Sequence, residues 1–267
     1  MQKEMSALYR AAIWNNTASL AVVDGASLIR SIAARHALSD CAAEALGRVV
    51  TCAAYLCGWI EEDEQYSLII NGNGLLGKIH AFGNGALKLC GSIERDVAQG
   101  MQADITACVG AQGYLSVVRS GGKGLPFTGT CALAEGDVTK DIAAYFAESE
   151  QRPTAVCLYQ GGGVFVQPLT GADESVLLLA QEAVKRCRRD MTAREILTMF
   201  GAEGAEEREI SFGCTCSREK AERAVLSAGE EVARAVVESE GALRVHCHEC
   251  NSDYCFGEKD INALFEK

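Results

Sequence analysis

Basic charge, long apolar runs and catalytic signatures are what this chain has least of. Its formal net charge is −11, from 25 Lys and Arg against 36 Asp and Glu. An acidic chain repels phosphate backbones, so nucleic acid is not an expected partner. No stretch approaches the roughly 18 continuous apolar residues of a membrane-spanning helix, so no membrane partner is expected either. The opening MQKEMSALYRAAIWNNTASL has no apolar core of the secretory-signal kind, which predicts a cytoplasmic location. Neither G-x-S-x-G nor H-E-x-x-H occurs. Gly121-Gly122-Lys123-Gly124 lacks phosphate-loop spacing, and Gly161-Gly162-Gly163 reads as a turn. His36 and His80 are isolated, with no evident nucleophile partner. With no catalytic constellation in view, an enzyme is not expected.

What is present is apolar residues, small residues and cysteine. Hydrophobic side chains make up 48% of the 267 residues, with 27 glycines, three prolines and 13 cysteines. That is enough chain for one large domain with a small appendage. An odd cysteine count without a secretory signal argues for a reducing compartment and against a disulfide scaffold. The acid is concentrated at the end: residues 202–267 hold 15 acidic and eight basic side chains.

The patterning predicts an α+β protein in three parts. Residues 1–171 read as a mixed core domain with an antiparallel sheet. Helical spacing covers 27–38 and 40–60, and strands are expected at 18–23, 67–70, 77–82 and 86–92. The Asn-Gly pairs at 71–72, 73–74 and 84–85 suit tight turns with positive φ. Two further hairpins, 114–119 with 127–132 and 154–158 with 164–168, flank a helix at 138–147. Residues 172–213 read as a weakly packed helical linker, with a capping box from Thr192 to Glu195 and an acidic tail short of apolar side chains. Residues 214–267 read as a compact end: helices 217–228 and 230–240 stopped by Gly229 and Gly241, a hairpin, and a last helix at 258–265.

Within that end lie Cys214-Thr215-Cys216 and Cys247-His248-Glu249-Cys250, 30 residues apart. Two close pairs separated in sequence form the pattern of a closed Cys₄ zinc site, with no coordination position left for catalysis. His246, His248 and Cys255 stand nearby, but the four-cysteine set is complete without them. About 55 residues bury little core, so a metal is expected to supply what packing does not. Structural zinc contributes on the order of 10–16 kcal/mol of apparent folding free energy. If oxidation expels the metal and each close pair forms its own disulfide, each tiny loop restores only roughly 2 kcal/mol. Oxidation is therefore expected to unfold this module. The other nine cysteines (41, 52, 57, 90, 108, 131, 157, 187 and 255) are expected to be unlinked, most as small core residues.

Residues 212–220 (FGCTCSREK), 245–251 (VHCHECN) and 254–256 (YCF) closely resemble the zinc module of the heat-shock protein 33 family, the redox-regulated 33 kDa chaperones. Residues 141–154 (DIAAYFAESEQRPT) and 162–172 (GGVFVQPLTGA) resemble that family's helix and last core strands, and LLGK at 75–78 and SVV at 116–118 are compatible. The resemblance spans nearly the whole chain. It implies an ATP-independent holdase for unfolding or oxidatively damaged client proteins, active in stress as a homodimer. It implies one Zn²⁺ per chain, held by Cys214, Cys216, Cys247 and Cys250 in the reduced, inactive state. It further implies redox-active disulfides Cys214–Cys216 and Cys247–Cys250 on oxidation, with residues 172–213 as a metastable sensor. Two features depart from the pattern: only Tyr159-Gln160 separate the 156–158 strand from Gly161, and Cys255 is an extra thiol that could compete in pairing. The other classes open to these residues are a constitutive zinc-ribbon interaction module and a thiol–disulfide oxidoreductase using Cys247 and Cys250.

Overall fold

A computed structural model describes residues 5–97 and 104–266. The chain divides into two compact units, Met1–Gly213 and Cys214–Lys267. No described helix is long and apolar enough to cross a membrane.

The larger unit is built on one ten-stranded sheet. Its strands are β1 (Ser6–Ile13), β2 (Ala18–Asp24), β3 (Glu64–Gly72), β4 (Lys78–Asn84), β5 (Lys88–Ile93), β6 (Gly113–Gly121), β7 (Phe127–Ala132), β8 (Ala155–Tyr159), β9 (Gly162–Pro168) and β10 (Glu206–Phe212). Their order is β7-β6-β3-β4-β5-β10-β1-β2-β9-β8. Every pairing is antiparallel except the short parallel contact of β10 with β5. The helices are α1 (Ala26–His36), α2 (Asp40–Cys57), α3 (Ile105–Val109), α4 (Val138–Glu148), α5 (Glu174–Val184) and α6 (Ala193–Met199).

Burial follows from how each half of the sheet is covered. Helix α2 is buried along almost its whole length and packs on β3, β4, β5 and β9. Its Leu46, Val49, Val50 and Ala53 join Leu68, Ile70, Ile79 and Leu89 in the main core. Strands β3 and β4 therefore alternate buried and half-buried residues, the signature of one covered face. Strands β2 and β9 are covered on both faces, which is why they read as nearly continuous apolar runs. Ala21, Val23 and Phe165 enter the main core, while Leu20, Val22, Val164 and Val166 enter a second core on the opposite face.

That second core corrects the reading of residues 172–213 as weakly packed. Helices α5 and α6 form its roof, burying Ala180, Val184, Ile196 and Phe200. The Thr192–Glu195 capping box is present, with the Glu195 amide donating to Thr192 Oγ1 at 3.2 Å. The acidic stretch after it is a strand, not a connector. β10 pairs with β1 from Ser6↔Ile210 to Arg10↔Glu206, and two of its acids are met across the ladder: Arg10 Nη2 to Glu206 Oε2 at 2.6 Å, Tyr9 hydroxyl to Glu207 Oε1 at 3.3 Å. On its other side only Ser211↔Lys88 and Phe212↔Leu89 pair with β5. β10 thus joins two half-sheets.

The Asn-Gly glycines also differ from expectation. Gly72, Gly74 and Gly85 are absent from the positive-φ positions. They are glycine because backbone crowds them: a Cβ on Gly72 would lie 2.0 Å from the Val109 carbonyl oxygen, and one on Gly85 2.0 Å from that of Glu61. A second departure is Cys41 and Cys108, which are joined in a disulfide rather than being separate core thiols.

The smaller unit contains α7 (Arg218–Ala228), α8 (Glu230–Glu240), the hairpin β11 (Leu243–Cys247) and β12 (Ser252–Phe256), and α9 (Glu258–Phe265). Gly229 and Gly241 end the first two helices at φ 92° and 81°. Its core is five buried residues: Ala221, Val225, Ala233, Phe256 and Ile261.

Gly72→Ala is expected to destabilise the protein by roughly 2–4 kcal/mol, because carbonyl and Cβ cannot share the space. Gly171→Ala, at φ 86° with no atom near the added Cβ, carries only left-handed strain of about 1–2 kcal/mol. Urea midpoints of the two variants check this order.

Candidate metal centre

The four C-terminal cysteines are brought together by two local turns. Cys214 and Cys216 precede α7, whose cap is Ser217, with Oγ accepting from the Lys220 amide at 3.2 Å. The Cys216 amide donates to Cys214 Sγ at 3.5 Å. Cys247 ends β11, and Cys250 lies in the turn that leads to β12. That turn closes through the Asn251 amide to the Cys247 carbonyl at 2.8 Å, with Asn251 at φ 56°.

Arg218 fastens the first turn to the second half of the unit. Its Nη2 meets Asp260 Oδ1 at 2.7 Å, Nη1 donates to the Cys255 carbonyl at 3.3 Å, and the guanidinium lies 4.7 Å from the Phe256 ring centroid. The result places all four sulfurs within 4.8 Å of one another. Cys214 Sγ is 3.8 Å from Cys247 Sγ, and Cys216 Sγ is 3.4 Å from Cys250 Sγ. Four sulfurs about 2.3 Å from a tetrahedral zinc are about 3.8 Å apart, so this spacing fits the ion. No disulfide joins any of the four. The cluster could therefore hold one metal ion, and an all-sulfur donor set favours zinc or iron over hard cations.

Tyr254 was not singled out by the sequence. Its hydroxyl donates to Cys216 Sγ at 3.1 Å. Strand alternation is the signal that could have found it, since β12 alternates half-buried Tyr254, exposed Cys255 and buried Phe256. Burial alone would raise the Cys216 thiol, but the Tyr254 hydroxyl and the neighbouring thiols outweigh it and hold the group below its usual value. The same bond pushes the Tyr254 phenol up to about 12, with burial adding to it. Cys247 is raised by burial and by the Cys250 thiol.

The neighbours of the cluster lie outside it. His246 Nδ1 is 2.8 Å from Asp253 Oδ1 across the hairpin, and its ring stands 4.9 Å from that of His248. Exposed Cys255 pairs in register with Arg244, on the strand face opposite Tyr254. In the larger unit, burial raises the thiols of Cys57 and Cys187 to about 12 and that of Cys131 to about 11, and lifts Cys52 and Cys157. Those thiols stay protonated near neutral pH and react slowly with oxidants.

Fold and cluster together define a two-unit α+β protein with a four-sulfur centre capable of holding a metal. A sequence model of the Hsp33 protein family matches residues 6–257. The chain belongs to the Hsp33 family. It is 28% identical over 268 residues to a 33 kDa chaperonin of Shouchella clausii, covering 90% of each chain. To the 33 kDa chaperonin of Bacillus cereus strain AH187 it is 28% identical over 258 residues, covering 87% of this chain and 89% of the relative. The crystal structure of the 33 kDa chaperonin (heat shock protein 33 homolog) of Thermotoga maritima superposes with a TM-score of 0.86 at 26% identity, covering 98% of each chain.

Tyr254→Phe is expected to lower zinc affinity about tenfold, the usual cost of losing a partner that orients a ligand. Competition against a chromogenic chelator measures it. Cys255→Ser should leave that affinity unchanged.

Proposed function

We propose that this protein is an ATP-independent holdase chaperone of the cytoplasm that is silent while Cys214, Cys216, Cys247 and Cys250 hold one zinc ion and active once they are oxidised. The carrying observation is the disproportion within the smaller unit: four converging sulfurs beside a core of five buried residues. Bound zinc supplies folding free energy there, on the order of 10–16 kcal/mol.

Peroxide or hypochlorous acid removes two electrons from each close pair, giving Cys214–Cys216 and Cys247–Cys250, the pairing the family resemblance implies. The ligating sulfurs are thiolates, so the protons come from solvent as the oxidant is reduced to water, or to water and chloride. Paired sulfurs no longer bind the ion, and two small loops restore roughly 2 kcal/mol each, so the unit loses its fold.

The consequence reaches the sheet through chain connectivity. β10 ends at Phe212, two residues before Cys214, and its last two residues make its whole contact with β5. Disorder starting at Cys214 frays that contact first. Opening it uncovers backbone edges on β5 and β10 and loosens the roof helices α5 and α6 just upstream. This is the sense in which residues 172–213 act as sensor. Exposed edges and apolar faces accept extended segments of unfolded clients. An active homodimer is part of the same proposal. The oxidoreductase reading has less support, because Cys247 and Cys250 sit in a strand–turn–strand hairpin and not at a helix N-terminus.

The test uses zinc-loaded, reduced protein treated with peroxide at elevated temperature. Release of about one zinc per chain should accompany the onset of aggregation suppression for a heat-denatured client. Equal protection by reduced and oxidised protein would contradict the switch, and catalytic turnover of a disulfide substrate would favour the oxidoreductase.

A further inference from the structure

Cys41 and Cys108 lie 67 residues apart in sequence and are joined in the larger unit. We propose that they form a second redox site, a reversible disulfide made by peroxide-class oxidants, which ties α3 to the first turn of α2.

Asp96 and Cys108 dock on the same turn. Asp96 accepts from the Ser39 amide at 2.8 Å and from the Ser39 hydroxyl at 2.6 Å, and Ser39 is the cap of α2. Cys108 docks there through its sulfur. Its backbone is also woven into the loop after β3: the Leu76 amide donates to the Cys108 carbonyl at 3.0 Å, and the Gly74 amide to the Val109 carbonyl at 3.0 Å. The crowded glycines Gly72 and Gly74 abut this same stretch. The sulfur bond therefore fastens α3, the β3–β4 loop and the central helix to one point.

Reactivity is divided between the partners. Cys41 is half-buried, in the first turn of α2, so it stands nearer to solvent-borne oxidant. Cys108 is fully buried. Cys41 is thus the attacking thiol and Cys108 the resolving one. An S–O bond forms at Cys41 as the peroxide O–O bond breaks and hydroxide leaves. The Cys108 sulfur then attacks Cys41, the S–S bond forms, and the oxygen departs as water with the Cys108 proton. In sum, two thiols and one peroxide give one disulfide and two waters. Thiol exchange with a dithiol reductant reverses it. The same oxidant that would unfold the C-terminal unit would brace the larger one. The site itself does not rest on the zinc-switch proposal.

The full-length protein is reduced, freed of reductant, exposed to peroxide, quenched by alkylation, digested and mapped by mass. The expected product is a Cys41–Cys108 linked peptide, with Cys52, Cys57 and Cys131 recovered as alkylated thiols, and dithiothreitol restores both partners. After oxidation the larger unit should unfold roughly 5–15 °C higher in the parent protein than in Cys41→Ala oxidised alongside it. Cys108→Ser gives a second comparison should Cys41→Ala fold poorly. Cys41 and Cys108 remaining alkylatable after peroxide would overturn the proposal. So would a bond that dithiothreitol cannot open in the folded protein, or an oxidised midpoint equal to that of oxidised Cys41→Ala.

Discussion

Four sulfurs stand where the C-terminal unit would otherwise need a hydrophobic core. Helices α7, α8 and α9 and one hairpin enclose only Ala221, Val225, Ala233, Phe256 and Ile261 as buried apolar residues. Two of those are alanines, and the side chains packed around them, Val237, Leu243, Val245, Tyr254, Leu264 and Phe265, are only partly buried, so the core is small. Further ties include the β11–β12 ladder, His246 to Asp253, Arg218 to Asp260 and Phe256, Arg234 Nη1 to Asn262 Oδ1 at 2.6 Å, and pairs on the helix surfaces. Exposed pairs of this kind contribute at most about 1 kcal/mol each. A metal held by four thiolates is an order of magnitude larger, and it depends on the redox state of its ligands. Stability and the proposed sensing therefore fall on the same atoms.

The larger unit shows the opposite distribution. Its main core runs from Leu8 to Ile210 and is centred on α2; β1–β2, β3–β4, β4–β5, β6–β7 and β8–β9 pair with their neighbours in sequence, while β3–β6, β2–β9, β1–β10 and β5–β10 join distant segments. β10 is the exception in strength. It is acidic, it is held to β1 by five residue pairs, and it meets β5 through two. A strand of this composition in the middle of a sheet is a seam, and the chain passes from it into the cysteine cluster after one residue, Gly213. Most thiols of this unit are buried and kept protonated, so its richness in cysteine does not expose it to indiscriminate oxidation.

What could be read in the sequence was what local chemistry decides. The C-x-C and C-x-x-C turns, the Thr192–Glu195 box, the helix-ending Gly229 and Gly241, and the alternation of β3 and β4 all follow from residues within a few positions of one another. The misses share the opposite character. β1 (SALYRAAI) is rich in alanine and has no clean alternation, and it is a strand because β2 and β10 pair with it. β10 looks like a solvated linker because its strand character comes from Arg10 and Tyr9, about 200 residues away. Gly72 and Gly85 looked like turn glycines, whereas distant carbonyls require them. Cys41 and Cys108 have no spacing rule to announce them. Tyr254 reaches Cys216 only because the hairpin folds back on the first turn.

The central claim is that zinc-bound sulfurs hold the C-terminal unit folded and, through β10, hold the sheet closed. Amide hydrogen exchange of the reduced protein, with zinc bound and after chelation, tests it most directly. The account predicts that removing zinc abolishes protection across residues 214–266, reduces it in β10, and leaves α2 and β3 protected. Unchanged protection in 214–266 without zinc, or loss there with β10 fully protected, would contradict it.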